Sequence, residues 1–100
     1  MKSTLSIRWT EEASNNLENI VKYLESNWSE KELKTFFLKL EKQLELILLF
    51  PQAYPLSAFT KKVHRCVFLE NLSIYYTIDN EFIILLSIFD TRQNPKKLKV

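Results

Sequence analysis

Arg65 and Arg92 are the side chains of this sequence best suited to chemistry. A guanidinium is always charged and makes paired hydrogen bonds to a phosphate or a carboxylate. Asp90 stands two residues before Arg92. An aspartate with an ordinary pKa of ~3.9 is a poor proton donor at neutral pH and repels phosphate, so beside Arg92 its role is to orient the guanidinium. For Arg65 a salt bridge to Glu70, Asp90 or Glu81 is the plain structural alternative. His64 is the one residue that titrates near neutrality without help. It directly precedes Arg65, so on a strand the two side chains point to opposite faces and do not serve one site. Tyr75 and Tyr76 divide in the same way. Tyr76 shares the parity of Leu72, Ile74 and Ile78, which leaves Tyr75 as the expected exposed member, free to hydrogen-bond or to stack on a base. Cys66 lies mid-strand among apolar residues and reads as an inert buried thiol.

Composition removes many alternatives. The chain has 100 residues, one domain's worth, with 46% hydrophobic and 26% charged residues. Seven Phe, four Tyr and two Trp are incompatible with a disordered chain. Gly is 0, which excludes phosphate-cradling loops, dinucleotide fingerprints and nucleophile elbows, all of which need a Gly-rich turn. One Cys allows no internal disulfide, and with one His there is no zinc cluster. No cofactor or metal is expected. The longest apolar run, Phe82 to Phe89, falls far short of a membrane span, and the first residues lack a secretory apolar segment, so cytoplasmic residence without membrane contact is expected. Charge is uneven: the first fifty residues carry seven Lys/Arg against eight Glu, the last fifty seven against four acids. Arg92, Lys96, Lys97 and Lys99 crowd the end with no acid among them, which suits either a polyanion or a merely solvated tail.

The elements that must position these groups are legible from periodicity. Leu5, Ile7 and Trp9 alternate with polar residues, a short strand over Thr4 to Trp9. Thr10 offers an N-cap, with Glu11 and Glu12 in the first turn where the helix dipole favours them. Ala13, Leu17, Ile20, Val21, Leu24 and Trp28 draw one helical stripe, with Asn27 as the expected left-handed terminator. Ser29 to Glu32 is a capping box flanked by a Trp28–Leu33 staple. Leu33, Phe36, Phe37, Leu40, Leu44, Ile47 and Leu48 line the second helix until Pro51 stops it. Two helices joined by almost no loop form an antiparallel hairpin. Val63 to Leu69 and Leu72 to Ile78 read as strands around a Glu70-Asn71 turn. Asp79-Asn80 reads as a second hairpin turn, and Phe82 to Phe89 as a central strand, apolar on both faces. The fold class is α+β in the order β-α-α-β-β-β: a single domain over 1–100, with the hairpin on one face of a twisted antiparallel sheet and the first strand beside the last.

In this layout Ile7-Arg8-Trp9-Thr10, Leu17, Ile20 and Tyr23, Leu48-Leu49-Phe50-Pro51, Val63-His64-Arg65, Ile74 to Ile78 and Ile83 to Pro95 occur in one order and spacing. Together they resemble the RelE/ParE superfamily of bacterial type II toxins, also labelled plasmid stabilisation proteins, over nearly the whole chain. The resemblance implies a growth-inhibiting toxin neutralised by a cognate antitoxin. RelE-like members cut mRNA on the ribosome with basic residues and a His, Tyr or Glu; ParE-like members block DNA gyrase with no recognised catalytic set. Arg65 falls on a family-typical arginine and Arg92 in the basic C-terminal exit, whereas Asp90 stands where many members carry His. That departure favours the gyrase-inhibiting branch over the mRNA interferase, with a decayed antitoxin-binding module as the third reading. The implied functional surface is Arg65, Arg92, Asp90 and Tyr75. One helical hairpin cannot cover both faces of the Phe82 to Phe89 strand, so an antitoxin peptide is expected on the uncovered apolar surface.

Overall fold

A computed structural model of the chain describes residues 5–57, 61–69 and 71–90. Its elements run β1 (Ser6–Trp9), α1 (Glu11–Glu25), α2 (Glu30–Leu49), β2 (His64–Leu69), β3 (Leu72–Asp79) and β4 (Phe82–Asp90). The sheet order is β1-β4-β3-β2, so the most apolar strand, β4, sits inside the sheet as its composition requires. β2, β3 and β4 form the expected antiparallel meander. β1 adds to the free edge of β4 in parallel, Ser6 opposite Phe82 and Trp9 opposite Leu85, which makes the sheet mixed rather than wholly antiparallel. A parallel pair needs a long crossover, and everything between the first and last strands supplies it.

Both helix starts are written locally. Thr10 Oγ1 accepts from the Ala13 amide at 3.1 Å, and Ser29 and Glu32 close a reciprocal capping box. The end of α1 differs from expectation. Asn27 is not left-handed; the only positive φ among the described non-glycine residues is 53° at Asn80. Instead the Ser26 hydroxyl and the Asn27 amide both donate to the Tyr23 carbonyl, at 2.8 and 2.9 Å, which satisfies an orphan acceptor without a backbone reversal. The β3–β4 turn is shifted by one residue. Asp79 pairs with Phe82, so Asn80 and Glu81 make the bend and Asn80 supplies the left-handed position.

The main core lies between the helices and one sheet face: Ala13, Leu40, Ile47, Ile74, Tyr76, Ile83, Leu85 and Ile88 are all buried there. Leu24, Phe36 and Leu72 continue it, with Trp28 and Leu33 packed alongside as the staple predicts. Phe37 is not part of it; the ring is 43% exposed while its edge meets Phe36. Lys31, Lys34, Lys39, Lys42, Glu41 and Glu45 form the expected solvated face.

Between Tyr75 and Tyr76 the β3–β4 register shifts, an extra residue in β4 opposite them. The bulge changes the phase of β4, so that Leu85 and Ile88 both join the helix-side core. Two side chains from the start of α1 hold it. Thr10 Oγ1 donates to the Leu85 carbonyl at 2.7 Å, and Asn16 Oδ1 accepts from Ser87 Oγ at 3.0 Å and from the Ile88 amide at 3.1 Å.

Candidate functional site

Alternation along β2 puts His64 and Cys66 on the helix side and Arg65 on the far side, as the sequence predicts. Arg65 is exposed, and its Nε donates to the buried Ser73 hydroxyl at 3.1 Å across to β3. This bond ties the exposed Arg65 side chain to β3 along the far face. Tyr75 is the direct cross-strand partner of Arg65. It is only 4% exposed, which corrects the expectation of an exposed ring. The far face has a small core of its own, in which Val63, Tyr75 and Phe89 bury one another with Leu86 against them. Tyr75 therefore builds the floor beneath Arg65 and does not offer a free ring face.

Asp90 lies elsewhere. It is opposite Leu72 at the end of β4, and lines a groove of about 800 Å³ between that sheet end and α1, together with Glu12, Asn16 and Tyr23. Arg65 and Tyr75 share one sheet face; Asp90 sits by the helices on the other. Arg92, Lys96, Lys97, Lys99 and Glu70 lie outside the described residues.

On the helix side a polar network fastens the segment after α2 onto β2 and β3. His64 Nδ1 donates to the Tyr54 carbonyl at 2.8 Å, a direction fixed by the carbonyl, which can only accept. Its ring stacks on Tyr76 with an interplanar angle of 13°. The Tyr76 hydroxyl donates to the Pro51 carbonyl at 2.7 Å. Gln43, from α2, donates to the Tyr54 hydroxyl at 2.9 Å and meets Cys66 Sγ at 3.1 Å. Burial pushes the Cys66 thiol up to about 11, outweighing the hydrogen bonds from Tyr54 and Gln43 that stabilise the thiolate. Tyr54 and Tyr76 are raised as well, first by burial and then by the neighbouring Cys66. All three stay neutral at physiological pH, so Cys66 is the inert thiol its sequence context suggests. Among the described residues no group of His, Cys, Asp and Glu could hold a metal ion, and no helix is long and apolar enough to cross a membrane.

The arrangement thus separates cationic recognition from proton transfer. Arg65 can bind an anionic partner, and the single histidine points away from it. Sequence reasoning missed Asn16, which no local signal marks, since its role depends on a bulge in a strand 71 residues away.

The model of the ParE toxin of type II toxin–antitoxin systems, parDE, matches residues 7–95. The chain belongs to the ParE toxin family. A structure of the chromosomal ParDE system from P. aeruginosa contains a chain similar to this one, with a TM-score of 0.73 at 15% identity, covering 87% of this chain and 96% of that one. A conserved hypothetical protein from Helicobacter pylori, solved in solution, gives 0.56 at 17% identity over 89% and 97%. A copper-bound mutant toxin from Helicobacter pylori gives 0.51 at 16% identity over 88% and 96%. At these identities the likeness is one of fold. No curated protein matches the chain by sequence. Within the ParE family fold, Arg65 and Tyr75 occupy the sheet face the helices leave open, and His64 the face they cover.

Proposed function

We propose that this ParE-family chain is the toxin of a type II module and arrests growth in the cytoplasm by binding DNA gyrase, with no bond-breaking chemistry of its own. The observation that carries this reading is the separation of groups across the sheet. RNA cleavage needs a base, an acid and cations around one phosphate. Here Arg65 faces one way, while His64 faces the other and is tied through Nδ1. The Tyr75 and Tyr76 rings are both buried. Binding through the cation surface of Arg65 over its Tyr75 floor, with Arg92 as a second cation that Asp90 orients from the end of β4, asks for no proton transfer. The neutralising partner is a cognate antitoxin on the sheet face the helices leave open, where Phe82, Ile84 and Leu86 of β4 are half-buried and Val67 of β2 is exposed, consistent with the ParDE system among the similar structures.

Pulse-labelling after induction tests the target. Gyrase-dependent DNA breaks and a DNA-damage response, with translation and mRNA intact at early times, are expected. Early loss of translation with cleaved mRNA would instead make the chain an mRNA interferase, and absence of both would leave a decayed antitoxin-binding module. Arg92→Ala should abolish toxicity with the fold unchanged by circular dichroism, because losing a cation against a desolvated anionic surface costs about 2–5 kcal/mol. Lys99→Ala should be nearly silent.

A further inference from the structure

Two arginines stand on the open face of the sheet, at its opposite edges. Arg8 is on β1 and Arg65 on β2; both are exposed, and neither makes an ion pair with an acid among the described residues. Each is held by a single contact. The Arg8 guanidinium carbon lies 4.0 Å from the centre of the Phe82 ring, and a contact to a ring uses no hydrogen-bond donor. Arg65 spends Nε on Ser73 Oγ and, among the described residues, no other donor. A guanidinium with unspent donors can give a pair of hydrogen bonds to one carboxylate.

The register fixes how far apart the two stand. Arg8 is level with Ile84, and Ile84 with Thr77, whereas Arg65 is level with Tyr75, two residues back along β3. Crossing from β1 to β2 takes three strand spacings, about 14 Å, and the two residues along a strand add about 7 Å at right angles. The Cα atoms are therefore about 16 Å apart. Between them the face is apolar, with Ile84 and Leu86 half-buried and Tyr75 buried beside Leu86. Asp79 is the one acid that alternation puts on this face among the described strand residues. It pairs with Phe82 at the β3–β4 turn, outside the span between the arginines.

What fits is a segment with two carboxylates about 16 Å apart and apolar side chains between them. An extended segment does not supply this. Residues four apart reach about 13 Å, six apart about 20 Å, and five apart point to opposite faces. An α-helix does: residues i and i+11 share one face at about 16 Å, with i+4 and i+7 between them. A nucleic-acid backbone offers anions but no apolar side chains to cover Ile84 and Leu86.

We propose that Arg8 and Arg65 clamp an acidic amphipathic helix of the antitoxin, its carboxylates at i and i+11 and its apolar residues at i+4 and i+7 against Ile84 and Leu86. This rests on the reading that the antitoxin covers the open face. To that reading it adds Arg8 as a binding residue and a residue pattern for the partner.

The probe is the protein encoded by the reading frame adjoining this one, bound to the full chain and followed by calorimetry and by the arginine Nε–H resonances in NMR. Arg8→Gln and Arg65→Gln should each weaken binding about tenfold, and together about a hundredfold, because sites more than about 10 Å apart act additively. Each should also reduce the salt dependence of binding. Lys22→Gln, at an exposed lysine paired with Glu18 at 3.3 Å, should leave affinity within about twofold. Arg8→Glu/Arg65→Glu should abolish the complex, and changing to Lys the two probe acids eleven residues apart should restore it, a rescue that a misfolded variant cannot show. Should that variant fail to fold, movement of both Nε–H resonances in the unaltered protein reads the same contacts. A tight complex indifferent to both arginines, or a bound probe segment with no such acid pair, overturns the clamp and leaves the antitoxin reading standing. No complex with the probe overturns that reading and the clamp together. Arginine-dependent binding of an eight-nucleotide thymidine strand in place of the probe would give the face to nucleic acid and overturn the clamp as well.

Discussion

Tyr75 and Tyr76 are neighbours on one strand, both buried, and they are held by different means. Tyr76 faces the helices, where it has no exposed surface, stacks on His64 and spends its hydroxyl on the Pro51 carbonyl. Tyr75 faces the open side and, among the described residues, shares a small apolar cluster with Val63 and Phe89, with Leu86 at the margin. One face is a packed layer fixed by hydrogen bonds from a loop and two helices. The other is a thin apolar patch bordered by exposed cations: Arg65 on the β2 side, and on β1 Arg8, whose guanidinium lies 4.0 Å over the Phe82 ring. The contrast separates the face that carries the packed core from the face proposed to meet a partner. Residues on the covered face should cost folding when altered, and those on the open face should cost binding.

The most severe way to break that contrast is to hollow the covered face. Tyr76→Ala removes a fully buried ring and should cost about 3–5 kcal/mol in urea unfolding, whereas Val67→Ala, on the open face at 58% exposure, should change stability by less than about 0.5 kcal/mol. Equal losses at both positions would mean the open face is not open. A smaller effect is expected at the joint between α1 and the bulge. Asn16→Ala strands the Ser87 hydroxyl and the Ile88 amide and should cost about 1–3 kcal/mol, with Asn16→Asp recovering part of it because the acceptor returns. The smallest effect is visible only in alkali. Cys66 is raised from 9.0 to about 11 on folding, so the neutral thiol contributes stability that is complete below about pH 9 and lost as pH rises through about 11. Over that window the chain should lose up to about 2 kcal/mol that Cys66→Ala does not lose, measured by denaturant midpoints at each pH.

What the sequence disclosed follows from the range of the interactions concerned. Thr10, Ser29 and Glu32 cap within three residues of themselves, so their roles were legible without the fold. The hairpin of helices and the central position of β4 were legible because apolar periodicity reports burial directly. The bulge was not, because strict alternation through Ile83 and Leu85 gives no sign that Ile88 will rejoin the same face. Tyr75 was misread for the same reason: parity assigns a side chain to a face, and it cannot say that the face carries a second small core. The turn at Asn80 was ambiguous by one residue, since Asp79 and Asn80 both tolerate left-handed backbone and only the Asp79–Phe82 pairing decides between them. Of the candidate surface, Arg65 could be placed opposite His64 from adjacency alone. The position of Asp90 beside α1 is a tertiary fact.

The parallel pairing of β1 with β4 has a consequence in time. Ser6 finds its partner at Phe82, so the sheet cannot close, and Thr10 cannot reach the Leu85 carbonyl, until nearly the whole chain exists. At translation speeds of about 5–20 residues per second, roughly four to fifteen seconds separate the synthesis of the first strand from that of its neighbour. Through that interval the two amphipathic helices have no sheet to cover, and a prematurely terminated chain has no route to the native fold. A ribosome therefore releases either a chain that can close its sheet or a fragment that cannot, and the interval before closure is one in which a binding partner already present can meet the chain before it is folded.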